Sequence, residues 1–272
     1  MRILHVSDIH IGTREDPAVE RALTRLIERV APELLVVSGD LTHRGRRVEQ
    51  ERAASFLRGF GLPLHVVPGN HDIPYTFPTR FTRTWDAFEA VWGTTQPVYR
   101  SAAFHVVGLN SVRPWRHQSG GIRQSQLDWA AEQLAQAEAG ALRIVSFHHQ
   151  LTGAPWRTRK KPVARRNAVL AFLVDAGAEL ILAGHTHQAA ISERREFELS
   201  TPAGEQAVTV SIAPGLGQPR PHRRGEARGL HVYETTDRRI LVHTYIWRVD
   251  GWALTAERRF PRGREPLAFE PD

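Results

Sequence analysis

Val67-Pro68-Gly69-Asn70-His71-Asp72 is an apolar strand that runs into a Pro-Gly turn and delivers an amide, an imidazole and a carboxylate side by side. Four other apolar segments stop in the same way, at Asp8 and His10, at Asp40, at His148 and His149, and at His185 and His187. Together these tips outline one polar basin at the carboxyl ends of a buried sheet, where open α/β sheets place their ligands.

Upstream of that stretch, residues 2–7 alternate and are mostly apolar, ending at Ser7-Asp8-Ile9-His10. In an extended segment, residues two apart share a side, so Asp8 and His10 are expected to grip one ion. A helix follows: Asp16 caps it, Pro17 suits its first turn, and Val19, Ala22, Leu23, Leu26, Ile27 and Val30 recur at helical spacing. Leu34-Leu35-Val36-Val37 then reads as a buried parallel strand ending in Ser38-Gly39-Asp40. The result is a βαβ unit with a carboxylate at each strand tip. A second helix, 47–59, leads into strand 64–67.

Downstream, 73–84 reads as a Pro-, Phe- and Thr-containing loop before a short helix at 85–92. Strands at 98–100 and 104–109 precede Asn110-Ser111, and the polar, aromatic loop with Arg113, Trp115 and Arg116 is a candidate for substrate contact. Helix 124–138, strand 142–147, helix 164–175 and strand 180–183 carry the chain past a second basic loop, Trp156 to Lys161, to Gly184-His185-Thr186-His187. The final third changes character, with 189–198, 207–213, 229–236, 239–249 and 252–260 alternating as antiparallel strands do. No internal repeat is visible. A single domain over 1–272 with two sheets is expected, residues 1–187 carrying the chemistry and 188–272 completing the second sheet.

The chain has 272 residues, 41% of them hydrophobic, enough for a large core. It has no cysteine, which excludes disulfides, thiolate metal sites and a cysteine nucleophile. Any metal must be held by His, Asp, Glu or Asn. The net charge of +7 comes almost wholly from arginine, since Lys160 and Lys161 are the only lysines, and such a surface suits an anionic substrate. With no apolar leader and no run of membrane-spanning length, a soluble cytoplasmic protein of unassigned oligomeric state is the expectation.

Each motif alone is common, but five at predicted strand ends, all of hard or borderline ligand types, form a set suited to Mn, Fe or Zn. The order Asp8-x-His10, Gly39-Asp40, Gly69-Asn70-His71-Asp72, His148-His149 and Gly184-His185-x-His187 resembles the calcineurin-like metallophosphoesterases. That resemblance implies a four-layer αββα fold, two mixed β-sheets packed together and flanked by helices, with a binuclear metal centre on the sheet tips. It gives Asp8, His10, Asp40 and His187 to one ion and Asp40, Asn70, His148 and His185 to the other, with Asp40 bridging. Either His148 or His149 suits the ligand position, and the family pattern favours His148. Two cations ~3.5–4 Å apart need a shared anion and can poise a hydroxide, its pKa lowered to ~7, for in-line attack on phosphorus. His71 becomes the general acid or an electrostatic partner of the leaving oxygen, oriented by Asp72, with Asn70 beside them. Gln150-Leu151 departs from the family, where many relatives have proline, and this alters the rim.

Within the superfamily, the length, the paired histidines and Leu109-Asn110-Ser111 look most like the bacterial class III cyclic-nucleotide and glycerophosphodiester phosphodiesterases, as does the basic stretch 220–228. The expectation is therefore a metal-dependent phosphodiesterase acting on a small-molecule phosphoester, with His149, Asn110, Arg113, Trp115 and Arg157 as candidate substrate contacts. The alternatives within the superfamily are a nuclease and a phosphomonoesterase; Met1 to Gly12 resembles the repair exonucleases, but the helical extension and capping domain of those enzymes are missing. A non-catalytic scaffold has no need of His71. Nucleic acid is not the expected partner, because the cationic clusters are local rather than a continuous track.

Overall fold

Alternate residues of the first strand are buried on opposite faces, Ile3 and His5 on one and Leu4 and Val6 on the other, so its sheet is covered on both sides. The computed structural model describes residues 1–13, 16–116, 118–156, 158–194, 208–217 and 226–262. Its first half runs β1 (Arg2–Val6), α1 (Pro17–Val30), β2 (Leu34–Ser38), α2 (Arg47–Arg58), β3 (Leu64–Val67), α3 (Thr79–Thr82), α4 (Asp86–Trp92), β4 (Val98–Arg100) and β5 (Phe104–Gly108). It continues with α5 (Gln124–Leu134), β6 (Leu142–Ser146), α6 (Arg166–Asp175), β7 (Leu180–Ala183), β8 (Ala190–Arg194), β9 (Val208–Ile212), β10 (Gly229–Thr235), β11 (Arg239–Arg248) and β12 (Gly251–Pro261).

Two six-stranded mixed sheets result, ordered β12-β11-β10-β1-β2-β3 and β4-β5-β6-β7-β9-β8. Ile3, Leu34 and Val36 meet Val106, Ile144 and Leu182 between the sheets. Leu4, Val6, Leu35 and Val37 turn outward onto Leu23 and Leu26 of α1 and Leu57 of α2, while Val107, Val145 and Ile181 face Leu127 of α5 and Leu173 of α6. The layers are therefore helix, sheet, sheet, helix, with each such side chain contributing about 1.5–3 kcal/mol by burial. Helix α1 starts where expected, since Asp16 accepts from Ala18 N (3.1 Å) and Pro17 fills the first turn. Because β1, β2 and β3 are parallel, as are β5, β6 and β7, their carboxyl ends lie on one edge of each sheet.

Four expectations are corrected. The last third completes both sheets, since β8 and β9 join one while β10, β11 and β12 join the other. Strand β9 pairs antiparallel with β8, as expected, but parallel with β7 on its other edge, and all its residues are buried, Ser211 included, because Tyr233 donates to Ser211 Oγ between the sheets (2.7 Å). Helix α5 ends at Leu134, where the bonds Gln136 N to Gln133 O and Ala137 N to Leu134 O tighten the chain into turns. The loop at 73–84 holds the short α3, and residues 195–198 of the expected strand lie outside the described residues. No helix among the described residues is long and apolar enough to cross a membrane.

The inter-sheet layer also holds histidines. His65 Nε2 lies 2.8 Å from Ser146 Oγ, and His231 Nε2 lies 3.1 Å from Ile212 O. Burial pushes His65 down to about 3 and His231 down to about 4. An unfolded imidazole protonates near ~6.5, so below that pH the unfolded chain binds protons that the native state refuses. Stability should therefore fall as pH drops from about 6.5 toward 4, each buried histidine adding up to ~1.4 kcal/mol per pH unit. Urea midpoints of metal-free protein between pH 7 and 4.5 test this. His65→Asn should flatten the slope by close to one proton, and an unchanged slope would show that His65 titrates normally in the native state.

Candidate metal centre

Among the described residues, five of the eight non-glycine residues with positive φ are Asp8, His10, Asp40, His185 and His187, all at strand tips. Such backbone costs on the order of 1 kcal/mol or more per residue and persists where the surroundings enforce it, characteristically at functional sites. The extended geometry expected for Asp8 and His10 is thus replaced by left-handed turns (φ 53° and 55°), which still bring both side chains inward. The β2 and β3 turns touch: a Cβ on Gly69 would lie 2.2 Å from Asp40 N, so only glycine lets Asn70 and His71 approach Asp40.

Two donor clusters form. In the first, His187 Nε2 lies 2.9 Å from Asp8 Oδ1 and 3.3 Å from His10 Nε2, with His10 Nε2 3.8 Å from Asp8 Oδ1 and 3.9 Å from Asp40 Oδ2. In the second, His148 Nε2 lies 3.3 Å from Asp40 Oδ2, 3.2 Å from Asn70 Oδ1 and 3.1 Å from His185 Nδ1. Asp40 Oδ2 belongs to both. Ligands ~2.1 Å from a common ion stand roughly 3–4 Å apart, so these spacings fit two ions sharing Asp40. Although Asp8 Oδ1 is 2.9 Å from His187 Nε2, it has no well-directed hydrogen bond among the described residues, as expected of a lone pair aimed at a cation instead.

The remaining polar atoms of these side chains are anchored. His148 Nδ1 donates to Ser38 O (2.8 Å) and His185 Nε2 to Gln118 O (3.2 Å), leaving the opposite nitrogens as acceptors. Asp8 Oδ2 accepts from Ser7 Oγ (2.7 Å) and His185 N (2.9 Å), and Asp40 Oδ1 accepts from His71 N (2.8 Å). Lys160 Nζ donates to His185 O, which folds the basic loop against the β7 tip.

Electrostatics favour cations here. Burial opposes ionisation of Asp8 and Asp40, but the imidazoles of His187 beside Asp8 and of His148 and His71 beside Asp40 overcome it, and both carboxyls stay well below their usual range. Burial lowers His10 to about 3 and holds His185 well below its ordinary value, so both rings are neutral at neutral pH. His148 moves the other way, to about 9, because Asp40 outweighs its burial and favours a positive charge between them. Two ionised carboxylates, four histidines and one amide are a hard-to-borderline set that fits Mn, Fe or Zn.

His71 is half-buried, its ring edge-on to His10 at 4.9 Å between centroids. Asp72 does not orient it: that carboxylate accepts from Gly69 N (2.8 Å), Thr42 N (2.9 Å) and Thr42 Oγ1 (2.9 Å), tying the β3 turn to the β2 turn. Burial and then Asp40 raise Asp72 to about 6. The ring is held instead by His43 O, 3.0 Å from Nδ1, and Tyr75 Oη, 2.7 Å from the same nitrogen. Neither residue is marked by a motif; Tyr75 sits in the stretch read as a loop, and its only signal is a position four residues after His71.

The expected substrate contacts divide. His149 is buried, with Nδ1 2.9 Å from Ser111 Oγ and its ring 4.6 Å from that of His185, beside the ligands but outside both clusters. Asn110 Oδ1 accepts from Val112 N (3.0 Å) and so shapes its own turn. Arg113 braces its own loop: its guanidinium donates to Asn110 O, Val112 O and Gln126 Oε1, and burial lowers it to about 10. Trp115 is exposed. Arg157 and residues 220–225 lie outside the described residues.

The family model for calcineurin-like phosphoesterases matches residues 1–189. A probable cyclic nucleotide phosphodiesterase of Synechococcus sp. is 26% identical over 205 residues, 71% of this chain and 76% of that protein. The glycerophosphodiester phosphodiesterase GpdQ of Enterobacter lignolyticus is 24% identical over 216 residues, covering 74% of this chain and 76% of its own. Among solved structures, a dimetal phosphatase from Danio rerio superposes with a TM-score of 0.62 at 14% identity, over 97% of this chain and 99% of that one, which shows the fold.

Proposed function

The chain belongs to the calcineurin-like phosphoesterase family, and from that premise we propose that it hydrolyses a small-molecule phosphodiester of the cyclic-nucleotide or glycerophosphodiester type. The observation that carries this reading is the pair of donor clusters sharing Asp40 Oδ2, with the half-buried His71 at their edge. Asp8, His10, Asp40 and His187 would hold one ion and Asp40, Asn70, His148 and His185 a second, drawn from Mn, Fe and Zn. Such a pair supplies Lewis-acid polarisation of the phosphoryl group and a nucleophile at neutral pH.

The protein's own residues do the rest. His71 Nδ1 donates to His43 O, which fixes the ring and leaves Nε2 to hand a proton to the departing oxygen. Asp72 keeps Asn70 and His71 in place through the backbone of Gly69 and Thr42. Names of the relatives in both diesterase groups support a diester over a monoester. We read residues 1–272 as one domain.

The test is the purified protein supplied with Mn²⁺. It should hydrolyse bis-p-nitrophenyl phosphate and at least one small natural diester, and its rate should change little with salt. A nuclease following duplex DNA loses affinity with a log–log slope of about −0.9 per phosphate contact. Degradation of duplex ends, with inactivity on every small diester, would establish the nuclease instead.

A further inference from the structure

Beside His71 opens a cleft of about 400 Å³ formed by the stretch 44–47 at the start of α2 and by residues 74–87. Four arginines line it, Arg44, Arg46, Arg47 and Arg83, against one acid, Asp86. Arg47 is held by Glu51 at 2.9 Å. The buried Glu49 is engaged by the backbone, its Oε2 accepting from Arg44 N (2.9 Å) and Arg46 N (3.3 Å). No described carboxylate pairs with the guanidinium of Arg44, Arg46 or Arg83, and all three side chains are exposed.

The cleft is linked to the chemistry by one side chain. Tyr75 forms part of its wall, and the Tyr75 hydroxyl is 2.7 Å from His71 Nδ1. Tyr75 therefore touches both the arginine-lined cleft and the ring that would serve the departing oxygen. Planar forked donors select oxyanions with two or more acceptor oxygens, above all phosphoryl groups. We infer that the cleft binds a phosphoryl group carried on the leaving alcohol, so that the preferred substrate is a diester whose departing alcohol is itself phosphorylated. This rests on the phosphodiesterase reading and names its substrate class. In the reaction a water gives up one proton as its oxygen bonds to phosphorus, the bond from phosphorus to the alcohol oxygen breaks, that oxygen takes a proton from His71 Nε2, and the proton released by the water restores His71 through solvent. The product alcohol keeps its phosphate.

The experiment compares glycerophosphoinositol with glycerophosphoinositol 4-phosphate on Mn²⁺-loaded protein, products being identified by phosphorus NMR so that the departing alcohol is known. The phosphorylated diester should have the higher kcat/KM by about tenfold, mainly through KM, a magnitude typical of a charge-assisted contact. In Arg44→Ala/Arg83→Ala the ratio should fall to near one. Both positions are exposed, so the variant should fold. A wild-type ratio near one, or a preference that survives the double substitution, overturns the inference. Wild-type hydrolysis of bis-p-nitrophenyl phosphate judges the phosphodiesterase reading separately. If that activity is absent, titration of metal-free protein with inositol 1,4-bisphosphate still decides the cleft: about tenfold weaker binding in the double variant supports it, and equal binding overturns it.

Discussion

Asp40→Asn should lose both its second metal equivalent and its turnover. The substitution isolates charge: asparagine tolerates the positive φ of 53° at this position, and its amide oxygen can still accept from His71 N where Asp40 Oδ1 does now. What disappears is the anion whose Oδ2 is common to the two donor clusters. Two divalent ions ~4 Å apart repel by on the order of 15 kcal/mol even at an effective dielectric of 20, and the shared carboxylate stands where that repulsion is greatest. Loss of an ion worth several kcal/mol to the transition state lowers kcat by about 10³ or more, at ~1.4 kcal/mol per factor of ten. Metal content by mass spectrometry, beside circular dichroism to show a retained fold, is the measurement. Two bound metals and normal turnover in the variant would remove the bridging assignment.

How far the sequence carries depends on whether a feature is local. Asp8, His10, Asp40, Asn70, His148, His185 and His187 are legible because each follows an apolar strand and each is a ligand type, and parallel pairing of those strands then gathers the tips on one edge. The second face of β2 is equally legible, since a strand buried on both sides reads as a continuous apolar run, whereas β1 alternates in sequence and is nonetheless buried on both faces. Pairing partners are not. Val208 to Ile212 alternates like an antiparallel strand, yet Thr209 and Ser211 are polar because they face a hydrogen-bonded layer between the sheets, not water. Period two reports which residues share a face and says nothing of what covers that face.

Adjacency in the chain also misleads at turns. Asp72 follows His71 directly, and an orienting role is natural on paper, but in the tight β3 turn its carboxylate swings back to four donors of Gly69, Leu41 and Thr42. The groups that hold the imidazole come from 28 residues away and from the following loop, a juxtaposition made by the β2–β3 pairing. Arg113 shows a second limit: an arginine in a polar loop suggests a phosphate, and the sequence does not reveal that three carbonyl oxygens nearby also take its donors.

His71→Ala should fold, keep its metals and show a loss that depends on the leaving group. The ring contributes no ligand atom to either shared-Asp40 cluster, so its removal leaves the donor set intact. General acid catalysis is worth about 10²–10⁴ when the departing oxygen is a poor leaving group such as a ribose or glycerol alkoxide, and little for p-nitrophenolate, which departs without a proton. The variant should therefore lose about 10²–10⁴ in kcat on a glycerophosphodiester but far less on bis-p-nitrophenyl phosphate. Tyr75→Phe separates proton delivery from positioning, because it removes the hydroxyl 2.7 Å from Nδ1 while Nε2 and the bond to His43 O remain. A smaller loss of the same leaving-group character is expected from it. Equal losses on both substrates in His71→Ala would mean that the imidazole positions the phosphoryl group and delivers no proton.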